Sequence, residues 1–363
     1  MAQKSIISKD VLCPTCSNPA KKNGSFVRKR NRAKVQRFFC HSCSLAFSKQ
    51  STNITSRQHR PDLNEKIFHM ICNGMGVRRI AMVLNTTPKT VQNKIKFLAI
   101  LCDHFHNTHF TNWKVKPTFQ FDEMWAVESN SNNALTIPLV VEKESYFIVS
   151  ARSAHTNALK GTPTKRGANN ARRQAKISVR DLVIIKTLDK ANTMKPDGRI
   201  VMDTDKKVAY LNILEKVYGP RLVHNKYNAG IPEEAIRLFP INNTMACMRA
   251  EVSKVKRDGW YLTKDNTWLN AHLAIYTVYY NYFRIKKYTI SDYSLSIVSV
   301  GGNGIGRSKK KFENKTPAMK LGIFDKPISF KFLLEQFKPK AIPTSKSPTL
   351  LRIGHNLPTK KTA

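Results

Sequence analysis

The sequence predicts a multidomain protein in which two small N-terminal units precede a larger α/β domain. Three observations favour this fold class. Two Cys-x-x-Cys pairs occur in the first 60 residues, apolar residues recur at helical spacing over residues 61–106, and alternating apolar and polar residues mark strands from residue 119 onward. The predicted domains are therefore 1–60, 61–106 and 107–290. A basic extension, 291–363, follows them, and its composition predicts that part of it is disordered.

The first predicted unit is organised by two cysteine knuckles, Cys13-Pro-Thr-Cys16 and Cys40-His-Ser-Cys43. Each tight turn lets two thiolates approach one ion, and two such turns complete a tetrahedral site. Short strand-like segments and the turn signal Asn23-Gly24 separate the knuckles. The pattern predicts a zinc ribbon with a structural Zn²⁺ bound by Cys13, Cys16, Cys40 and Cys43.

The second predicted unit consists of three short helices. Thr87 can cap the third of them, with Pro88 at its first position, and a short turn separates that helix from the second. This arrangement indicates a helix-turn-helix whose last helix enters a DNA major groove, and an ordinary three-helix bundle is the alternative. The side chains expected to face DNA are Lys89, Thr90, Gln92, Asn93 and Lys96.

The charge balance points to a polyanionic partner. The 363 residues include 62 Lys and Arg against 24 Asp and Glu, a formal charge of +38. A field of this size favours double-stranded DNA, because each neutralised phosphate releases condensed counterions. No apolar run approaches the roughly 20 residues of a membrane span, and no signal peptide is visible. We therefore expect no membrane partner and a cytoplasmic, nucleoid-associated protein.

The third predicted domain has the element order β-β-β-α-β-α-β-α, which favours a mixed five-stranded sheet with helices on its faces. Its first strand, around Phe121, carries a carboxylate, Asp122, in its middle. A later apolar strand leads into Asp203-Thr204-Asp205. Carboxylates brought together by neighbouring strands suit hard divalent cations such as Mg²⁺.

These motifs together resemble bacterial insertion-sequence transposases of the DDE type, closest to the insertion-sequence-one kind. The resemblance covers about residues 10–335. It rests on the Cys₄ knuckles, the helix-turn-helix, Phe121-Asp122-Glu123-Met124-Trp125, Thr204-Asp205 with Tyr210 five residues on, and the segment Ile241–Lys264. It implies an RNase H-like catalytic domain, metal-dependent DNA cleavage and strand transfer at element ends, and action on target DNA by a homodimer or higher oligomer.

The resemblance also implies site residues. Asp122 and Asp205 carry over as the first two ligands of a catalytic Mg²⁺ or Mn²⁺, with Asp203 in reserve for the second. The third position departs from the family pattern, because the family's Glu falls on Asn242. Glu251, nine residues later, is the preferred third ligand, with Asn242 or a missing ligand as alternatives. Arg249 and Arg257 are expected to contact DNA near the cut.

Two other functions remain open at this stage. A DNA-binding regulator derived from an inactive transposase would keep the ribbon and the helix-turn-helix, and the Asn242 departure favours it. An RNase H-like nuclease acting on RNA–DNA hybrids or junctions is the other alternative.

Overall fold

A computed structural model of the chain describes residues 11–27, 32–48, 54–55, 58–111, 113, 117–156, 180–194, 198–255, 263–289 and 312–336. The predictions about Arg257, the basic stretch 160–173 and most of 291–363 fall outside these residues. The described residues belong to two compact units, the first within 1–62 and 331–347 and the second mainly within 63–330.

The first unit contains a small, curled antiparallel sheet of strand order β1-β2-β3-β4. Its strands are β1 Val11–Leu12, β2 Pro19–Val27, β3 Lys34–Cys40 and β4 Leu45–Ser48. Phe38 lies opposite Phe47 on neighbouring strands, and their rings stack with centroids 5.8 Å apart. These two rings and the thiols of Cys13 and Cys40 form the buried centre of the sheet. So small an apolar core needs a further source of stability.

The second unit begins with three helices, α1 Leu63–Cys72, α2 Val77–Val83 and α3 Pro88–His109. Thr87 caps α3 as predicted, because its hydroxyl accepts the backbone N–H of Thr90 at 3.2 Å. The helix continues three residues past the predicted boundary at residue 106. A left-handed glycine, Gly74 (φ 77°), turns the chain between α1 and α2, where an added Cβ would lie 3.3 Å from the carbonyl oxygen of Ala250.

A mixed sheet forms the centre of the second unit. Its strands are β5 Phe119–Glu128, β6 Asn130–Glu142, β7 Ile148–Ala151, β8 Ala154–His155, β9 Ile200–Asp205 and β10 Leu222–Tyr227. The order is β10-β9-β5-β6-β7, and the short β8 also pairs with β6. Strands β5, β6 and β7 form an antiparallel meander, whereas β9 and β10 run parallel to β5. The predicted mixed sheet is therefore confirmed, with β8 as an additional short strand.

Helices flank this sheet and follow the predicted order. They are α4 Arg180–Met194, α5 Val208–Tyr218, α6 Pro232–Ala235, α7 Phe239–Glu251 and α8 Asn266–Val278, the last continuing into a wide π turn, Tyr279–Phe283. The chain then forms a two-stranded ladder, β11 Lys286–Thr289 with β12 Phe312–Lys315, and the short helices α9 Pro317–Lys320 and α10 Phe330–Glu335. Helix α7 begins at Phe239, and Pro240 fits its first turn.

The aromatic face of α8 and its π turn belongs to the core. Tyr276, Tyr280 and Tyr282 are fully buried. Asn281 pairs with the edge strand β7 by accepting the N–H of Ile148 at 2.9 Å and donating to its carbonyl oxygen at 2.8 Å. Helix α3 packs along α8, so the three N-terminal helices and the sheet, which the sequence assigned to separate domains, belong to one compact unit. None of the helices in the described ranges is long and apolar enough to cross a membrane.

Candidate functional site

The four cysteines of the first unit converge on one point. Their sulfur atoms all lie within 4.8 Å of one another. The distance is 3.4 Å between Cys13 and Cys43, 3.4 Å between Cys16 and Cys40, and 3.7 Å between Cys16 and Cys43. Four thiolates about 2.3 Å from a central zinc ion would be separated by about 3.8 Å in a regular tetrahedron. The cluster therefore fits a structural Zn²⁺.

The backbone of each knuckle supports this arrangement. Ser17 and Ser44, the residues that follow the two pairs, both adopt left-handed conformations (φ 60° and 53°), which turn the chain around the sulfurs. Burial opposes ionisation of Cys13, but hydrogen bonds from the backbone N–H groups of Cys16 and Thr15 and from the thiols of Cys43 and Cys16 together outweigh burial and lower the pKa of Cys13 to about 6. The hydrogen bond to Cys13 raises the pKa of Cys43 to about 12. Full ionisation of the four thiols therefore requires a cation.

In the second unit, the sheet brings Asp122 and Asp205 to neighbouring positions. Strand β9 runs parallel to β5 with Gln120 beside Asp203. Asp122 and Asp205 lie two residues further along their strands, on the same face as that pair, because side chains alternate with period two. The pKa of Asp122 is raised, mainly by burial and further by the charge of Asp205. The two carboxylates therefore lie near enough to repel each other.

A hydrogen-bonded network surrounds Asp122. Its Oδ1 accepts the backbone N–H of Glu123 at 2.7 Å and the hydroxyl of Tyr210 at 3.0 Å. Both bonds favour the carboxylate and partly oppose the rise of the Asp122 pKa. The ammonium of Lys207 donates to the Tyr210 hydroxyl and to Oε2 of Glu123, at 3.2 Å each. Lys207 thus places a positive charge in contact with this acidic group, and Thr136 donates to the other oxygen of Glu123 at 2.9 Å.

The reserve residue, Asp203, has a different environment. It is completely buried, and Lys143 donates to its Oδ2 at 2.7 Å. Asn225, its register partner on β10, donates to Oδ1 at 2.9 Å. Both oxygens are therefore committed to a buried ion pair with an added hydrogen bond. Of the two candidates on β9, Asp205 is the one placed beside Asp122 with a partly exposed carboxylate.

The two alternatives for the third ligand lie at opposite ends of α7. The buried amide of Gln120 donates to the carbonyl oxygen of Arg237 at 2.7 Å and accepts the N–H of Ile241 at 3.0 Å, which fixes the start of α7 against β5. Asn242, the next residue, is exposed in this first turn. Glu251 follows Ile241 by ten residues, or about 15 Å of helix.

Glu251 is engaged by other side chains at its end of the helix. Its Oε2 accepts the hydroxyl of Tyr276 at 2.7 Å and the guanidinium of Arg284 at 2.8 Å. The structure therefore does not bring Glu251 to Asp122 and Asp205, although the sequence preferred it as the third ligand. Across the described parts of the chain, the Cys₄ cluster is the one group of three or more His, Cys, Asp or Glu side chains with metal-binding spacing.

The predicted DNA-contacting residues of α3 lie on its outer side. Lys89, Asn93 and Lys96 are exposed, whereas Thr90 and Gln92 are partly buried. Lys96 also stacks over Trp268 of α8, with its ammonium 5.4 Å from the ring centroid. On α7, Arg249 is partly buried. Arg78 and Arg79 of α2 are exposed on the neighbouring helix and add basic charge that the sequence prediction did not include.

Two residues of the site were not singled out from the sequence. Lys207 follows Asp205 by two residues, and that proximity to a proposed ligand was the available signal. Gln120 precedes Asp122 by two residues, so the period of the strand places it on the same face. A polar residue at an inward strand position indicates a buried hydrogen-bonding role.

No family model matches the chain.

Proposed function

We propose that this chain is a metal-dependent DNA transposase with an RNase H-like catalytic domain, acting at the ends of an insertion sequence. The observation that carries the proposal is the placement of Asp122 beside Asp205 on adjacent parallel strands, with the charge of Asp205 raising the pKa of Asp122. Two repelling carboxylates in one partly buried place are a costly arrangement unless a cation compensates them.

The fold supports the proposal at a coarser level. The meander followed by parallel strands, with helices on the sheet, agrees with the architecture that the family resemblance implies. The N-terminal Cys₄ cluster agrees with the same resemblance. Fold alone does not define chemistry, so the acidic pair has to carry the functional argument.

Within this proposal, Asp122 and Asp205 hold a divalent cation through carboxylate oxygens, the ligands that Mg²⁺ and Mn²⁺ prefer. Such an ion supplies activation of a nucleophile and stabilisation of the leaving oxygen at phosphorus. Tyr210 orients Asp122 through its hydroxyl, and Lys207 limits the excess negative charge. Asn242, at the end of α7 that Gln120 fixes, is better placed than Glu251 to add a neutral oxygen ligand.

DNA binding is proposed from charge and exposure. The chain carries a formal charge of +38, and the exposed Lys89 and Asn93 lie near the start of α3, the end that would enter a major groove. Handling two element ends together requires at least a homodimer in this mechanism. The zinc-bearing unit would add backbone contacts through its Lys and Arg residues.

The test is cleavage of a labelled duplex that carries the repeats flanking the gene, with Mg²⁺ or Mn²⁺ added. Wild type is compared with Asp122→Ala, Asp205→Ala, Asn242→Ala and Glu251→Ala, each checked for folding by circular dichroism. We expect nicking at the repeat ends that is lost in both Asp variants and reduced in Asn242→Ala. Folded Glu251→Ala should still nick the DNA.

A DNA-binding regulator is the second candidate, and one observation favours it. Among the residues that the structure describes, no third carboxylate joins Asp122 and Asp205 at metal-binding spacing. Tight binding to the repeats without cleavage in either metal would support the regulator and overturn the transposase proposal.

A further inference from the structure

A chain of hydrogen-bonding groups meets the end of strand β9 on the face of the sheet opposite the acidic pair. Thr204 lies between Asp203 and Asp205, so its side chain points to the other face of the strand. Thr204 is completely buried, and its hydroxyl donates to the carbonyl oxygen of Asp205 at 2.8 Å. On the neighbouring strand β10, the ring nitrogen Nε2 of His224 lies 2.7 Å from the same hydroxyl oxygen. His224 is thereby connected to the backbone of Asp205.

The direction of this chain follows from the number of hydrogens available. A threonine hydroxyl has one hydrogen, and in Thr204 it points to the carbonyl oxygen of Asp205. The imidazole of His224 must therefore be the donor in its contact with Thr204, through Nε2–H. Its Nδ1 then carries the lone pair, and that atom is buried without a hydrogen bond to any described residue. The opposite tautomer would bury an unpaired N–H group and take the hydroxyl hydrogen away from Asp205.

The surroundings of His224 keep its ring neutral. Burial lowers the pKa of His224 below its ordinary value of 6.5, and the charge of Lys226 lowers it further. The charges of Glu215 and Asp203 oppose this shift without reversing it. A second proton would have to reside on the buried Nδ1, which has no acceptor within the described parts of the chain. At neutral pH the ring therefore donates through Nε2 alone.

Strand pairing holds the two acidic residues to different degrees. Asp122 lies in the middle of β5, where it pairs with Leu139 of β6. Asp205 is the last residue of β9, and the ladder between β5 and β9 ends two residues earlier, at the pair Gln120 and Asp203. No ladder pairing therefore joins β9 to β5 at the level of the two carboxylates. The position of Asp205 relative to Asp122 depends on other contacts.

Two such contacts hold Asp205 where the chain leaves the sheet. Its carbonyl oxygen accepts the Thr204 hydroxyl, and its carboxylate Oδ1 accepts the backbone N–H of Lys207 at 3.2 Å. Lys207 in turn precedes helix α5, and its carbonyl oxygen accepts the N–H of Tyr210 at 3.0 Å. The hydroxyl of Thr204, oriented by His224, is thus the side-chain contact that fixes the backbone of Asp205.

We propose that His224 is a positioning residue of the acidic pair, which acts through the Thr204 hydroxyl to hold Asp205 where its carboxylate and that of Asp122 can bind one divalent cation. This role rests on the metal site proposed above. Neither His224 nor Thr204 contacts the cation or DNA in it. Residues that orient metal ligands typically contribute about 10–100-fold to metal affinity, because a ligand that moves freely must be ordered when the ion binds.

The experiment measures Mn²⁺ binding to the full zinc-loaded chain at pH 7, from the electron paramagnetic resonance signal of the free ion. Asp205→Asn identifies the binding that belongs to the acidic pair. Thr204→Val removes the hydroxyl and His224→Leu removes the donor, so each should raise the Kd by about 10-fold or more. Thr204→Ser keeps a hydroxyl and His224→Gln keeps an N–H donor, so both should bind Mn²⁺ nearly as wild type does. The double variant, Thr204→Val with His224→Leu, should bind about as weakly as either single variant, because both changes break one chain.

A buried threonine elsewhere in the same unit provides the matched control. Thr187 is completely buried on α4, and its hydroxyl donates to the carbonyl oxygen of Val183 at 2.8 Å. Thr187→Val should lose stability in urea unfolding to an extent similar to Thr204→Val, because each change removes one buried hydrogen bond. The Kd for Mn²⁺ should rise only in Thr204→Val, which separates positioning of the ligand from a general loss of stability.

The outcomes distinguish the positioning role from the metal site on which it rests. Mn²⁺ binding that Asp205→Asn abolishes, but that Thr204→Val and His224→Leu leave unchanged, would overturn the positioning role and leave the metal site standing. Mn²⁺ binding that Asp205→Asn does not change would overturn the metal site and the positioning role with it. If His224→Leu folds poorly, the comparison of Thr204→Val with Thr204→Ser still decides the question.

Discussion

The hydroxyl of Tyr210 donates a hydrogen bond of 3.0 Å to Oδ1 of Asp122, joining helix α5 to the central strand β5. This bond favours the ionised carboxylate, against burial and the charge of Asp205, which both raise the pKa of Asp122. Tyr210 is itself completely buried, and its ring makes a T-shaped contact with the ring of Phe121, with centroids 4.8 Å apart. It therefore serves both the core and the acidic pair.

Tyr210→Phe should raise the pKa of Asp122 further, because the variant loses a bond that the charged form prefers. The acid limb of metal-dependent cleavage should move to higher pH, and stability should fall by about 1 kcal/mol. The measurement is cleavage rate against pH, with urea unfolding alongside. Tyr218→Phe is the control, since its hydroxyl, on the same helix, bonds to the carbonyl oxygen of Leu188 instead. An unchanged acid limb in Tyr210→Phe would contradict the role of this bond.

Asp122→Asn should stabilise the metal-free protein at pH values above the raised pKa of Asp122. The folded chain favours the protonated carboxyl, so between the ordinary pKa of 3.8 and the raised value it binds more protons than the unfolded chain. Stability therefore falls as pH rises through that window and stays lower above it. In urea unfolding at pH 7 in EDTA, the free energy of unfolding of Asp122→Asn should exceed that of wild type by about 1 kcal/mol, a typical size for relief of a strained functional group.

The same variant tests the cation. Mg²⁺ should raise the melting temperature of wild type through binding to the folded state, and it should have little effect on Asp122→Asn. Glu233→Gln removes an exposed acid on α6 and should keep the wild-type response to Mg²⁺. Equal Mg²⁺ stabilisation of wild type and Asp122→Asn would show that the ion binds elsewhere.

The zinc prediction can be tested without reference to catalysis. Cys40→Ser should release the ion and unfold the first unit, because two of the four buried side chains at its centre, Cys13 and Cys40, are predicted zinc ligands and Phe38 and Phe47 alone form too small a core. Zinc content per chain should fall from one to near zero. Cys247→Ser, in the second unit, should retain one zinc. A Cys40→Ser protein that kept its zinc would contradict the Cys₄ assignment.

The sequence predicted most elements of the fold because their signals are local. The knuckle spacing brings Cys13 to Cys43, and the period of β5 predicts an acid on one face of the sheet. The proximity of Asp122 and Asp205 depends on the register between strands about 80 residues apart, which the resemblance implied and periodicity alone could not supply. The environments of Glu251 and Asp203 depend on Arg284 and Lys143, and no local pattern links those residues.

Glu251 should behave as a structural residue. Glu251→Gln removes the charge that pairs with Arg284 at 2.8 Å and weakens the acceptor of the Tyr276 hydroxyl. Because both carboxylate and guanidinium are about one quarter exposed, solvent screens the pair, and we expect a loss of about 1–2 kcal/mol in the free energy of unfolding by urea. The cleavage rate of the folded protein should remain near that of wild type. Loss of cleavage in a Glu251→Gln protein of unchanged stability would instead make Glu251 the third ligand.

Asn242→Asp should show the opposite pattern to Glu251→Gln. Its stability should change little, because Asn242 is exposed. Its Mg²⁺ binding should be tighter, because a neutral oxygen becomes a charged ligand.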